Sequence, residues 1–113
     1  MITLIGQVPS NQHIYANHWH IRYMKKEAKG LKVKWVEDVK SQWHREPILW
    51  DVGIEISYYH WSKNKRDIDN YGKLVLDCMA GIVYEDDSQI VEMNLKKFYD
   101  KSNPRVEIIV KNW

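Results

Sequence analysis

A single cysteine, Cys78, is all the thiol that the 113-residue chain carries. It excludes an internal disulfide and a cysteine-built zinc site, and its place in the apolar run LVLDCMAGIVY reads as a small buried residue. Phenylalanine is almost missing too, with one Phe against six Trp and seven Tyr. Most large rings therefore carry a polar edge, which suits damp interfaces and base-stacking surfaces as well as cores. Excess charge of either sign is lacking. The formal net charge is +2, too small to mark a nucleic-acid binder by itself, so the information lies in where the charges sit. No apolar run is long enough to span a membrane, and the opening MITLIGQVPSNQ has no basic leader, so a cytoplasmic chain without membrane attachment is expected. Repeats, low-complexity segments and linkers are absent as well. The length allows one core, and a single domain over residues 1–113 is expected.

What is present alternates between strand and helix patterns. Ile2 to Val8 reads as a strand closed by the turn residues Pro9-Ser10-Asn11. Residues 12–23 are aromatic and polar without clean periodicity and read mostly as loop. From Lys25 to about Trp43, Ala28, Leu31, Trp35, Val36, Val39 and Trp43 recur at helical spacing, which puts Trp35 and Trp43 in the core; Glu46-Pro47 ends the run. WDVGIEISYY, Trp50 to Tyr59, alternates as a half-buried strand with Val52, Ile54, Ile56 and Tyr58 on one face. Asp67 to Ala80 resumes the helical period with Gly81 as its stop, and Gly72 inside it costs about 1 kcal/mol relative to Ala. Two further strands, Ile90 to Tyr99 and Arg105 to Asn112, read as a hairpin joined at Lys101-Ser102-Asn103-Pro104. The order predicts an α+β fold, a mostly antiparallel or mixed sheet with two main helices packed on it.

The chemistry concentrates in RDIDNYGK, from Arg66 to Lys73, and EDDSQI, from Glu85 to Ile90. The first invites a calcium-loop reading, since Asp67, Asp69 and Gly72 fall at its first, third and sixth positions. Tyr71 at the fifth and Cys78 at the twelfth remove it, because the closing bidentate carboxylate is missing. Each acidic piece also has a purely structural reading. Asp67 or Asp69 can cap a helix, Asp69, Lys73 and Asp77 can form an i, i+4 ion-pair ladder, and Asp86-Asp87-Ser88 can be a turn. Taken together they suggest more. Asp67 and Asp69 at an element start can converge on one ion, and the next helix and turn bring Asp86 or Asp87 back to join them. Such a site offers only hard oxygen donors, which suits Mg2+ or Mn2+. Lys73, one helical turn beyond Asp69, can neutralise a phosphate, as metal-assisted phosphodiester hydrolysis requires.

RDIDNYGKLVLDCMAGIVYEDDSQI resembles the signature of the RusA family of Holliday junction resolvases, with Arg66, Asp67, Asp69, Asn70, Lys73, Asp77, Gly81, Asp86, Asp87, Gln89 and Ile90 as counterparts. VPSN, Val8 to Asn11, is similar to the family's opening turn. The resemblance implies a homodimeric, Mg2+-dependent endonuclease of phage or prophage type that nicks four-way DNA junctions symmetrically in recombination and repair, with no small-molecule cofactor. By motif position it places the essential carboxylates at Asp67, Asp69 and Asp87, with Asp86 as a possible further ligand, and the essential lysine at Lys73. Asp77 suits an orienting partner. A RusA-like module that binds branched DNA without cutting it is the alternative; a nucleotide-sugar transferase using D-x-D would need a larger nucleotide domain.

Basic and aromatic residues complete the expectation. Lys63, Lys65 and Arg66, with Asn70 and Lys73, would contact DNA, holding phosphates beside an acidic site that would otherwise repel them. Trp61 is the stacking candidate. His13, Tyr15, Arg22 and Tyr23 lie where family members approach DNA, and His18-Trp19-His20, without a third imidazole or thiol, reads as a loop feature rather than a metal site.

Overall fold

A computed structural model describes residues 1–18 and 21–112 of the chain. His20 lies outside the described residues, as do the side chains of His18 and Arg22, so the H-x-H pair and the Arg22 contact have no structural account. The elements run β1 (Ile2–Ile5), β2 (Tyr15–His18), β3 (Ile21–Met24), α1 (Lys26–Gln42), β4 (Val52–His60), α2 (Gly72–Met79), β5 (Ile90–Tyr99) and β6 (Arg105–Asn112), with 3-10 turns at Asn11–His13, Ile68–Asn70 and Asp87–Gln89.

The alternation in β4 organises the molecule. Val52, Ile54, Ile56, Tyr58 and His60 are buried, while Glu55, Ser57 and Tyr59 face the other way and are only partly covered. β4 sits between a parallel β5 and an antiparallel β6 in a mixed sheet of order β1-β6-β4-β5. β1 pairs with β6 so that Ile2 lies opposite Ile108 and Leu4 opposite Val106, all four buried. Both helices cover this apolar face. α1 buries Ala28, Trp35 and Val39, and α2 buries Leu74, Val75, Cys78 and Met79. Trp35 is fully buried at no polar cost, because its Nε1–H donates to the Ile5 carbonyl at 3.0 Å and so ties α1 to the end of β1. The opposite sheet face carries charge: Glu55 bridges Lys96 and Lys111 at 2.7 and 3.5 Å, and Arg105 reaches Asp100 and Glu107 while lying 3.8 Å over the Tyr59 ring.

An α+β fold with two helices on a mixed sheet is therefore present, but three local expectations change. β2 and β3 form an antiparallel ribbon, Tyr15 opposite Met24 and Ala16 opposite Tyr23, where a loop was expected. The ribbon is a separate sheet from the main one, so it does not share the one-sided burial that gives β4 its alternating pattern. β5 and β6 do not form a hairpin. The β4–α2–β5 segment is a crossover between parallel strands, which leaves β5 at the sheet edge and sends β6 to the far side of β4. Finally, the 67–80 helix is really a 3-10 turn followed by α2, so Asp69 and Lys73 do not share a regular helix and no Asp69–Lys73–Asp77 ion-pair ladder is found among the described residues. Gly72 is the first residue of α2 rather than an interior one, and a β-carbon there would meet Tyr58 Oη at 3.3 Å. Gly81 does end the helix region, at φ +84 with its N–H on the Tyr84 carbonyl at 2.7 Å.

Candidate active site

The segment leaving β4 is shaped before it reaches α2. Arg66 folds its guanidinium back onto the loop, donating to the Ser62 carbonyl and hydroxyl at 2.9 Å each and to the Asn64 carbonyl at 3.3 Å. Lys97 Nζ donates to the Arg66 carbonyl at 2.6 Å, which fastens the loop to β5. Asp67 then lies in extended backbone at the cap position of the 68–70 turn, yet its side chain caps nothing. Asp67 and Asp69, on either side of Ile68, line different depressions.

Asp69 looks into a cavity of about 320 Å³ between α2, the 87–89 turn and β5. Lys73, Leu76 and Asp77, spaced i, i+3 and i+4 on α2, line one wall, and Asp87, Met93 and Leu95 line another. Asn11, from the turn after β1, completes it and does more. Its Oδ1 accepts the backbone N–H of Lys73 at 3.1 Å, so a side chain 62 positions away satisfies a free donor in the first turn of α2. Lys73 Nζ lies 5.5 Å over the Tyr15 ring.

The two adjacent acids of EDDSQI have separate jobs. Asp86 Oδ2 accepts the Ser88 N–H at 3.0 Å, and those Ser88 bonds hold its carboxyl below the usual carboxylate range. Gln89 answers by accepting from the Glu85 and Asp86 N–H groups at 2.8 and 2.9 Å. Its amide also donates to the Ile48 and Trp50 carbonyls at 2.7 and 2.9 Å, so the Asp-Asp-x-Gln spacing is a reciprocal capping box nailed to the chain before β4. Asp87 is left exposed on the cavity wall. Beneath it the buried Tyr84 hydroxyl donates to the Leu76 carbonyl at 3.0 Å. Burial keeps that phenol protonated, and the Asp87, Asp77 and Asp86 carboxylates push in the same direction.

The cavity thus gathers Asp69, Lys73 and Asp87 and adds Asp77 and Asn11 to them. Asp67 lines a neighbouring depression of about 610 Å³ with Trp61, Lys65, Arg66, Asn70 and the turn from Gln7 to His13. Lys63 belongs to a third hollow, which Lys65 and Arg66 also reach. The oxygen donors facing the first cavity are the carboxylates of Asp69, Asp77 and Asp87 and the Asn11 amide oxygen, which already accepts from Lys73 N–H; hard oxygens are what a divalent cation such as Mg2+ takes. Among the described residues no three His, Cys, Asp or Glu side chains already converge as an ion's ligand set; Asp69 and Asp87, both exposed, would have to turn inward around one.

Four supporting residues escaped the sequence reading of the site: Asn11, Tyr84 and the pair Gln7–His60. Gln7 Oε1 accepts the Trp61 backbone N–H at 2.8 Å, which fixes its amide so that Nε2 donates to His60 Nδ1, also at 2.8 Å. His60 therefore carries its hydrogen on Nε2, and burial, helped by Arg66 and Lys97, lowers its pKa to about 4. Asn11 alone left a signal, as the last residue of VPSN.

The profile of the family described as Endodeoxyribonuclease RusA matches residues 6–111. The chain belongs to the RusA endodeoxyribonuclease family. YqaN of Bacillus subtilis (strain 168), an uncharacterized protein, is 45% identical over 47 residues, a stretch that covers 42% of this chain and 32% of YqaN. RusA nucleases as a family are generally divalent-metal dependent. No helix among the described residues is long and apolar enough to cross a membrane.

Proposed function

We propose that this RusA-family chain is a Mg2+-dependent endonuclease that resolves four-way DNA junctions by paired, symmetric nicks in recombination and repair. The observation that carries the reading is the meeting of Asp69, Asp87 and Lys73 around one cavity, contributed by three separate segments of the chain. Asp69 and Asp87, with Asp67 reaching from the adjacent depression, would hold Mg2+ or Mn2+, while Asp86 stays with its cap. The bound cation supplies an activated water and offsets charge on the phosphate. Lys73, held by Asn11 through its backbone, places an ammonium where negative charge builds on the scissile group. Asp77, half-buried on the same cavity wall, would orient that ammonium once it leaves the Tyr15 ring. Lys63, Lys65, Arg66 and Asn70 supply the flanking contacts to DNA; Arg66 acts by keeping its loop in shape.

A junction with two-fold symmetry needs two matched cuts, which a homodimer provides. The second reading, a module that binds branched DNA without cutting it, draws on the separation of Asp67 from the cavity. Incubation with a synthetic four-way junction and with linear duplex, each in Mg2+ and in EDTA, separates the two. Paired nicks confined to the junction in Mg2+ support the nuclease; tight junction binding with no cutting in Mg2+ or Mn2+ supports the module.

A further inference from the structure

The hollow at the end of β5 differs in kind from the acidic cavity. It measures about 340 Å³, and its lining includes Lys63, Lys65, Arg66 and Lys97 but no carboxylate. Tyr99, 44% exposed, forms one side. His60 lies at its buried base with Nε2, the protonated nitrogen, unpaired in the structure. Cations around an exposed ring are complementary to a nucleotide: phosphate for the lysines and π-face for the tyrosine.

Its position relates it to the acidic cavity. Leu95 lines that cavity and Tyr99 lines this hollow, and alternation puts both on the same face of β5. Four residues of strand span about 13 Å, roughly four nucleotides at the B-form rise per strand and fewer where the strand is stretched. A DNA strand cut at the acidic cavity can therefore run along the β5 edge into the basic hollow. Lys63 Nζ now lies 5.1 Å over the Tyr99 ring. An exposed cation–π contact is weaker than base–aromatic stacking, so an arriving base displaces the ammonium from the ring and its phosphate takes the ammonium up. A base inside a duplex keeps its faces against its neighbours, so the nucleotide that fits here is unpaired.

We infer that the hollow formed by Lys63, Lys65, Lys97 and Tyr99 is a binding subsite for an unpaired DNA nucleotide a few positions from the scissile phosphate. The inference rests on the proposed nuclease reading for the location of the cut, and it gives the chain a means of selecting branched over linear DNA. The test uses the full chain in EDTA with four-way junctions carrying 2-aminopurine at each of the first six positions from the exchange point. Wild type and Tyr99→Phe should change the emission at one offset; Tyr99→Ala should leave every position unchanged and bind the junction roughly 5- to 150-fold more weakly. An emission change that Tyr99→Ala retains, or none in wild type at any offset, overturns the subsite. Since the emission assay contains no metal, its result does not depend on cutting; a failure to cut the junction in a separate Mg2+ incubation would sink the nuclease reading while leaving this result intact. Junction cutting by wild type together with unaltered emission and affinity in Tyr99→Ala would sink the subsite alone.

Discussion

Asn11→Ala isolates the contact that joins the N-terminal turn to the catalytic helix. In the native chain its Oδ1 accepts the Lys73 N–H at 3.1 Å, and α2 is only eight residues long, Gly72–Met79. A helix that short has little stability of its own and depends on packing and on its ends. Removing one side-chain cap costs about 1 kcal/mol, within a range of roughly 0.5–2. For a chain of this size that lowers the melting temperature by roughly 3–6 °C. The effect on rate should be larger than the effect on stability, because Lys73 is the residue released, and a misplacement of about 1 Å can cost on the order of 100-fold. Asn11→Asp keeps the acceptor, and aspartate and asparagine cap about equally well, so its stability should stay within about 0.5 kcal/mol of wild type. The assay pairs urea denaturation with single-turnover junction cleavage at a temperature where both proteins are fully folded. An Asn11→Ala protein with an unmoved urea midpoint and a wild-type rate would refute the role assigned to the cap.

Other consequences can be checked alongside. Asp69→Asn should abolish cutting while leaving junction affinity in EDTA within a few-fold of wild type, and wild-type cutting by that variant would remove Asp69 from the metal site. Lys73→Ala should lower the single-turnover rate by about 100- to 1000-fold with the melting curve little changed; a rate within a few-fold of wild type would show that the ammonium is a bystander. Asp86→Ala should lower the urea midpoint, and, because the folded carboxyl titrates below its ordinary range, the native protein's advantage should be present at neutral pH and fade as acid protonates that group. His60 titrates at about 4 in the fold against 6.5 outside it. The unfolded chain therefore takes up the proton first, and stability should fall as pH drops from about 6.5 to about 4 by an amount that His60→Gln removes. Equal pH slopes for the two proteins over that window would contradict the buried neutral imidazole.

The fold was legible where burial is one-sided. β4 alternates because one face meets the helices, and α1 repeats because Ala28, Trp35 and Val39 all point inward. The β2–β3 ribbon gave no such pattern because it lies outside the main sheet, and the position of β6 could not be read from a tetrapeptide that resembles a hairpin turn. At the site, the acids and Lys73 were visible as a motif, but their division of labour was not. Asp86 and Asp87 are neighbours of identical type, and only the hydrogen bonds of Ser88 and Gln89 tell the cap from the cavity wall. Asn11 and His60 act through contacts spanning 62 and 53 positions, a separation that no local spacing rule covers.

That division offers the most direct test of the account. Single-turnover cleavage of a synthetic four-way junction in Mg2+ should be lost in Asp87→Asn, with junction binding retained, and should persist in Asp86→Asn measured under conditions where it is folded. Cutting at the wild-type rate by Asp87→Asn would contradict the assignment of the acidic cavity as the place where DNA is cut.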